Sequence, residues 1–239
     1  MPETLSVARE GRVATVTFRR AGQLNAMNKV MQREITEAFL ALSADASVGC
    51  VVVTGEGRGF MAGADIKEYA AQTPGEFDAF QLAGEAMYAA VEDCAKPVIA
   101  AVNGYALGGG FELVLACDLV LASEWAKFGL PEIRLGLVPG GGGTQRGVER
   151  LGRNRANLLL LTGDIRPAAE FLACGFVSEV LPAADLMPKA QALAARIAAE
   201  PPEAVEGLKR LTALAAQGDR RAGLDAERAL VCALYRSET

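Results

Sequence analysis

Two glutamates and two glycine runs inside one stretch, Lys96 to Arg146, are the residues best placed by type and spacing to do chemistry. Glu112 follows Gly108-Gly109-Gly110 in GYALGGGFELVLACD, and Glu132 precedes Gly140 to Gly143 in FGLPEIRLGLVPGGGG. Adjacent glycines after a strand let backbone approach a ligand closely, and a helix start behind them directs unpaired N–H groups and the positive end of its dipole there. Two carboxylates beside such a hollow could protonate and deprotonate a substrate whose reacting oxygen is held by backbone N–H groups, as chemistry next to a carbonyl requires. Each feature has a plainer reading too: a packing turn, an acidic residue near a helix N-terminus, a loop carboxylate paired with Arg134. The apolar neighbours VLAC weigh against the plain reading of Glu112, because a buried carboxylate needs a reason. Leu130, Pro131, Ile133 and the glycine wall weigh the same way for Glu132.

RGFMAGADIKEY is a third element. Gly63 allows a sharp turn, the Ala64 N–H could supply a second oxyanion donor, and Asp65 to Lys67 continue into a helical turn; a plain loop to a short helix accounts for it equally. Lys67, Arg19 and Arg20 are candidate phosphate contacts, although such side chains commonly just extend into solvent.

The chain has no histidine, which removes Ser-His-Asp and Cys-His nucleophilic designs and every His-based metal site. An acid or base must be Glu, Asp, Lys, Tyr or Cys. Neither GxGxxG nor GxxxxGK[ST] occurs, so the Rossmann and P-loop readings fall away. Five widely spaced cysteines without a CxxC pair read as reduced thiols rather than a disulfide framework. A net charge of −5 without a long basic run argues against nucleic-acid and anionic-membrane partners. With no signal-peptide core and no apolar run of about 20 residues, the expectation is a cytoplasmic protein.

The positioning elements follow from periodicity. Leu5 to Val7 and Val13 to Phe18 alternate around Glu10-Gly11 as an antiparallel hairpin. Lys29 to Leu42 has helical spacing with Asn28 as N-cap, and CVVVT at Cys50 to Thr54 reads as a strand buried on both faces of a parallel sheet. Pro74 to Val91 predicts a helix, Pro97 to Val102 a buried strand, Leu107 to Cys117 a helix and Asp118 to Ala122 a strand. This alternation predicts an α/β fold with parallel strands. Beyond Arg153, alanine-rich helical patterns dominate apart from a weak strand at Phe176 to Val180, and Pro201-Pro202 opens a helix.

KPVIAAVNGYALGGGFELVLACDLVLAS, FMAGADIKEY and FGLPEIRLGLVPGGGGTQR together resemble the crotonase superfamily, and within it the enoyl-CoA hydratases. The resemblance runs in order over nearly the whole chain. It implies a crotonase-like superhelix of ββα units over residues 1–190 and a helical C-terminal oligomerisation region over 191–239, assembling as a homotrimer or a hexamer of two trimers. It implies an acyl-CoA thioester substrate and no cofactor or metal beyond the coenzyme A of the substrate itself. Carried over by position, Ala64 and Gly109 are the oxyanion donors and Glu112 and Glu132 the catalytic pair. Gln23, Leu24, Asn25 and Ala26, with Ala64, Asp65, Ile66, Lys67 and Gly109, are the substrate-binding residues. The implied activity is that of a lyase: reversible syn addition of water to a trans-2-enoyl-CoA in fatty acid β-oxidation or related catabolism. A Δ3,Δ2-enoyl-CoA isomerase, which needs only a carboxylate at 132, and a non-catalytic acyl-CoA scaffold are the alternatives. Two departures stand out: RRAGQLNA has Ala21 where the family has proline before its LNA motif, and the sequence stops at LVCALYRSET where the family commonly adds a helix.

Overall fold

A computed structural model describes residues 2–216 and 218–237. Strands β1 (Leu5–Glu10) and β2 (Val13–Phe18) pair antiparallel, as their alternation predicts, and lead to helix α1 (Lys29–Ala44). Asn28 caps α1 by accepting the Met31 N–H at 2.9 Å.

Three further units repeat one plan: a strand in a large sheet, a three-residue strand in a small sheet, then helix. They are β3 (Cys50–Gly55), β4 (Gly59–Met61), α2 (Ile66–Ala70) and α3 (Pro74–Glu92); β5 (Val98–Val102), β6 (Tyr105–Leu107) and α4 (Gly109–Leu115); and β7 (Leu119–Ser123), β8 (Lys127–Gly129), a 3-10 turn (Pro131–Leu135) and α5 (Gly143–Leu151). Then come α6 (Arg153–Thr162), β9 (Ile165–Pro167), α7 (Ala168–Leu172), β10 (Glu179–Leu181), α8 (Ala183–Ala198), α9 (Pro202–Ala216) and α10 (Arg220–Ser237). The large sheet runs β1-β2-β3-β5-β7-β10 and the small one β4-β6-β8-β9. This is the expected superhelix of ββα units.

β3 shows how the large sheet is held. Val51 and Val53 point into the core formed with α1, α3 and α4, while Cys50 and Val52 point to the other face, onto α8. α8 covers that face with Leu186, Ala190, Ala194 and Ala198, spaced four apart on one helical stripe. It therefore runs through residues 190 and 191, where core and C-terminal region were expected to divide. α9 meets the core chiefly through ion pairs, Lys96 with Glu206 and Lys209 with Asp118 at 2.8 Å. Gly207 is its one buried residue, and none of the described residues of α10 is buried.

Periodicity missed the small sheet, because three residues carry no alternation to count. The helix expected from Leu107 starts instead at Gly109, since Tyr105 to Leu107 pair with β4 and β8. Among the cysteines, Cys50, Cys94 and Cys117 are core thiols, whereas Cys232 is exposed on α10.

Candidate active site

β4, β6 and β8 lie side by side and parallel. Their carboxyl ends release three loops at one edge: Ala62-Gly63-Ala64, Gly108-Gly109 and Leu130-Pro131-Glu132. Loops leaving the carboxyl ends of adjacent parallel strands meet in one crevice. Here all three line a cavity of ≈ 360 Å³, joined by Tyr69, Phe80, Tyr88 and Glu112. α4 reaches this edge only because residue 110 is glycine: a Cβ there would lie 1.9 Å from the Met61 carbonyl oxygen. From behind, Phe111 packs 5.2 Å from Phe128 of β8 and edge-on against Phe171 and Phe176, which fixes α4 to the small sheet.

The two expected donors share this edge. Gly109 is the first residue of α4, so its N–H has no intrahelical acceptor, whereas the preceding Gly108 N–H is spent on the Gly129 carbonyl at 2.9 Å. At Ala64 the chain forms a single parallel bridge with Met27. That bridge uses the Met27 N–H to the Gly63 carbonyl and the Asp65 N–H to the Met27 carbonyl, both 2.8 Å. The Ala64 N–H between them takes no part.

Glu112 is 3% exposed, in the first turn of α4. Its Oε1 accepts the N–H groups of Gly141 (2.7 Å) and Gly143 (2.8 Å). Those groups belong to the start of α5, so the helix N-terminus that grips this carboxylate is not the one that carries it. Burial pushes the Glu112 carboxyl upward, against the pull of the Gly143 and Gly141 N–H groups, Arg146 and Tyr88. The glycine run follows from this embrace: a Cβ at Gly141 would lie 2.0 Å from Tyr88 Cε2 and 2.8 Å from Glu112 Oε2.

Glu132 sits in the 3-10 turn after β8. Its Oε2 is buried without a hydrogen-bond partner, and Arg134, the cation next to it in sequence, pairs instead with Asp164 at 3.7 Å. Burial first, then the nearby Glu112 charge, push the Glu132 carboxyl up to about 7. One carboxylate is thus held by two N–H groups from another loop, and the other has only its own backbone N–H, in the same cavity.

The expected substrate-binding residues divide. Ala64, Ile66 and Gly109 line the cavity; Gln23, Leu24, Asn25, Ala26, Asp65 and Lys67 do not. Those six belong to a ridge in which the two stretches lie together, joined by the Met27–Ala64 bridge and by Arg20, which bonds the Ala26 carbonyl and Asp65 (2.9 Å). Arg20 is thereby engaged within the ridge. The Asn25 side chain is fully buried, accepting from the Arg20 N–H (2.8 Å) and donating to the carbonyls of Glu56 (3.0 Å) and Gly59 (2.7 Å). It braces the loop and offers nothing outward.

Tyr88 and Arg146 escaped sequence reasoning. Tyr88 lies on α3, 24 positions before Glu112 in the chain, and its hydroxyl donates to the Gly109 carbonyl at 3.2 Å. Arg146 bonds Glu92 and the Gly141 carbonyl (2.7 Å), tying the glycine loop to the end of α3. Gly141 hints at Tyr88 only once it is known that something must fill the space beside it. Among the described residues, no group of His, Cys, Asp or Glu is placed to hold a metal ion, and no helix is long and apolar enough to cross a membrane.

Comparison with known proteins agrees with this geometry. A family model described as enoyl-CoA hydratase/isomerase matches residues 8–238. A probable enoyl-CoA hydratase of Mycobacterium tuberculosis is 45% identical over 181 residues, covering 76% of this chain and 70% of the relative. A 2,3-dehydroadipyl-CoA hydratase of Escherichia coli is 41% identical over 182 residues, covering 75% and 69%. The solved structure of an enoyl-CoA hydratase from Bacillus anthracis superposes with a TM-score of 0.93 at 35% identity, over 96% of this chain and 90% of that one. With a crotonase-like fold and a matching sequence over almost its whole length, the chain belongs to the enoyl-CoA hydratase/isomerase family.

Proposed function

We propose that the protein is an enoyl-CoA hydratase, a lyase that adds water reversibly and syn across the double bond of a trans-2-enoyl-CoA to give a 3-hydroxyacyl-CoA. The observation that carries this reading is the unequal carboxylate pair, Glu112 and Glu132, in one cavity with the N–H groups of Ala64 and Gly109. As water attacks C3, charge builds on the thioester oxygen, and the two N–H groups stabilise it more in the transition state than in the substrate. Glu112, ionised with the help of the Gly141 and Gly143 N–H groups, takes a proton from the water as its oxygen bonds to C3. Glu132, protonated over much of the neutral range because its carboxyl lies at about 7, gives its proton to C2. Neither step calls on groups beyond these residues, water and the thioester. The two titrations are coupled, so the pair rather than either residue has the measurable pKa values.

The ridge of Gln23 to Ala26 beside Ala64 to Lys67 is, on this reading, where the coenzyme A portion lies, contacted through backbone and through exposed Lys67. Leu224, Val231 and Tyr235, exposed on α10, support assembly as a homotrimer or hexamer through the C-terminal helices, from α9 onward. A cytoplasmic setting suits the buried free thiols, and β-oxidation or related acyl-CoA catabolism suits the reaction.

The test is hydration of enoyl-CoA esters of graded length by the purified protein, beside Glu112→Gln and Glu132→Gln. Loss of hydration in both variants supports the pair. Double-bond migration as the main activity, unaffected by Glu112→Gln and dependent on Glu132, would make the protein an isomerase. Acyl-CoA binding without turnover of any ester would make it a scaffold.

A further inference from the structure

Two polar side chains are buried on α1, and they are provided for very differently. Glu34 accepts hydrogen bonds from the Glu3 N–H (2.6 Å), the Thr4 N–H (2.8 Å) and the Thr4 hydroxyl (2.6 Å). Gln32 is 2% exposed, and its side chain has one long hydrogen bond among the described residues: Nε2 donates to the Phe80 carbonyl at 3.4 Å. Met31 and Ile35 beside it on α1 are wholly buried. An amide so placed still has its oxygen and a second N–H to satisfy, and shutting either away without a partner is costly.

Gln32 also lines the reaction cavity, and Gly84 lines it with the amide lying against it. Gly84 is inside α3, where a glycine weakens the helix, so its presence there needs a reason. A Cβ at 84 would lie 3.2 Å from Gln32 Nε2 and 3.9 Å from Tyr88 Cε2. The glycine therefore gives the amide its place at the cavity wall. Tyr88, whose ring and Glu112 Oε2 both border position 141, is one helical turn further along α3, about 5 Å. The amide is thus within a few carbon atoms of the proton-transfer pair. Much of the remaining wall is apolar, including Met27, Phe80, Leu137 and Val138, and among the described residues no lysine or arginine lines it.

We propose that the Gln32 amide is a specificity-determining group, selecting acyl chains that carry a hydroxyl a few carbons beyond the reacting double bond. The inference rests on the hydration reading for the reacting end of the substrate and on the cavity wall for the rest. A plain alkyl chain drawn over Gly84 shuts the amide from water and replaces none of its hydrogen bonds. A carboxylate would enter without a counter-charge, into a cavity that already holds Glu112 and Glu132, and as an acceptor only it could not serve the amide oxygen. A hydroxyl donates and accepts without charge, which matches what the amide has left to offer.

The experiment compares trans-2-octenoyl-CoA with the same ester hydroxylated at C6, C7 or C8 and with the ester ending in a carboxylate at C8. Each is given to the parent and to Gln32→Met, which keeps the length of the side chain and removes its hydrogen bonding. In the parent, kcat/KM for at least one hydroxylated ester should exceed that of the octenoyl ester by about tenfold, and Gln32→Met should abolish the preference. Gly84→Ala, whose methyl would press on the amide, should weaken it too and decides the matter if Gln32→Met does not fold. A preference unchanged by the substitutions overturns the proposal. So does the absence of any preference in the parent, the result if water serves the amide, or a preference for the carboxylate ester. Calorimetric affinities of the saturated hydroxyoctanoyl and octanoyl esters should show the same ratio and need no turnover. If the parent hydrates no enoyl-CoA, the hydration reading fails, while these affinities still decide the role of Gln32.

Discussion

The surroundings of Glu112 and of Glu132 differ more than their shared residue type suggests. Glu112 is set in a helix, enclosed by a glycine loop, and accepts two backbone N–H bonds; Glu132 sits in a short turn whose following residues, Ile133 to Val138, are exposed, with one oxygen buried and unbonded. Burial raises both carboxyls. What separates them is the supply of donors to the charged form, two N–H groups of another loop at one and only its own backbone N–H at the other, and on the proposed mechanism that division suits Glu112 as base and Glu132 as acid.

Four experiments break or sharpen this contrast. Glu112→Gln and Glu132→Gln should each lower kcat for crotonyl-CoA hydration by about two orders of magnitude or more with the fold intact, since each removes one proton transfer. Folded Glu132→Gln with wild-type turnover would remove the acid from the scheme. Gly141→Ala attacks the Glu112 side alone: its methyl would enter the Tyr88 ring, and such overpacking costs roughly 1–3 kcal/mol. Thermal unfolding should fall accordingly and hydration by about tenfold or more; a variant as stable and active as the parent would show that the loop is looser than its contacts imply.

The third experiment is the pH profile of hydration. Glu132 must be protonated to act, so the rate should decline as pH rises through about 7, and Glu112 must be ionised, so it should decline again on the acid side. A profile flat from pH 6 to 9 would rule out Glu132 as the acid. The smallest effect concerns stability. A carboxyl whose folded pKa is raised favours folding below its unfolded pKa and loses that contribution as pH rises through the folded one. Between the ordinary glutamate value of 4.5 and about 7, the parent should therefore lose stability relative to Glu132→Gln. Denaturant melts of the two proteins at pH 5 and pH 8 measure it; equal differences at both would mean that Glu132 titrates normally.

The large sheet was legible in the sequence because its strands carry signals that survive averaging: alternation in Val13 to Phe18, a β-branched run at Cys50 to Thr54. The cavity carboxylates were legible because glutamate between Phe111 and Leu113 is costly unless something uses it. The small sheet was not legible, since Gly59–Met61, Tyr105–Leu107 and Lys127–Gly129 are three residues each and embedded in glycine. Yet Phe60 and Phe128 each stand in the middle of such a strand, buried, just ahead of a site loop, a correspondence that a search for repeats rather than periods would find. Tyr88 could not be read at all: a tyrosine in an alanine-rich helix has no local mark, and its partners lie in α4 and in the loop before α5.

That one short strand from each of three units ends at the same edge has a consequence for how the chain comes to its native state. Parallel neighbours are joined by long crossovers, so closing each contact means first ordering a loop of tens of residues. Glu132 leaves β8, the last of the three, and the N–H groups that hold Glu112 come later still, at Gly141 and Gly143. On the proposed mechanism, a nascent chain therefore has its oxyanion donors encoded long before its proton-transfer pair is assembled, and a partly folded molecule that could grip a thioester would have no means to react with it.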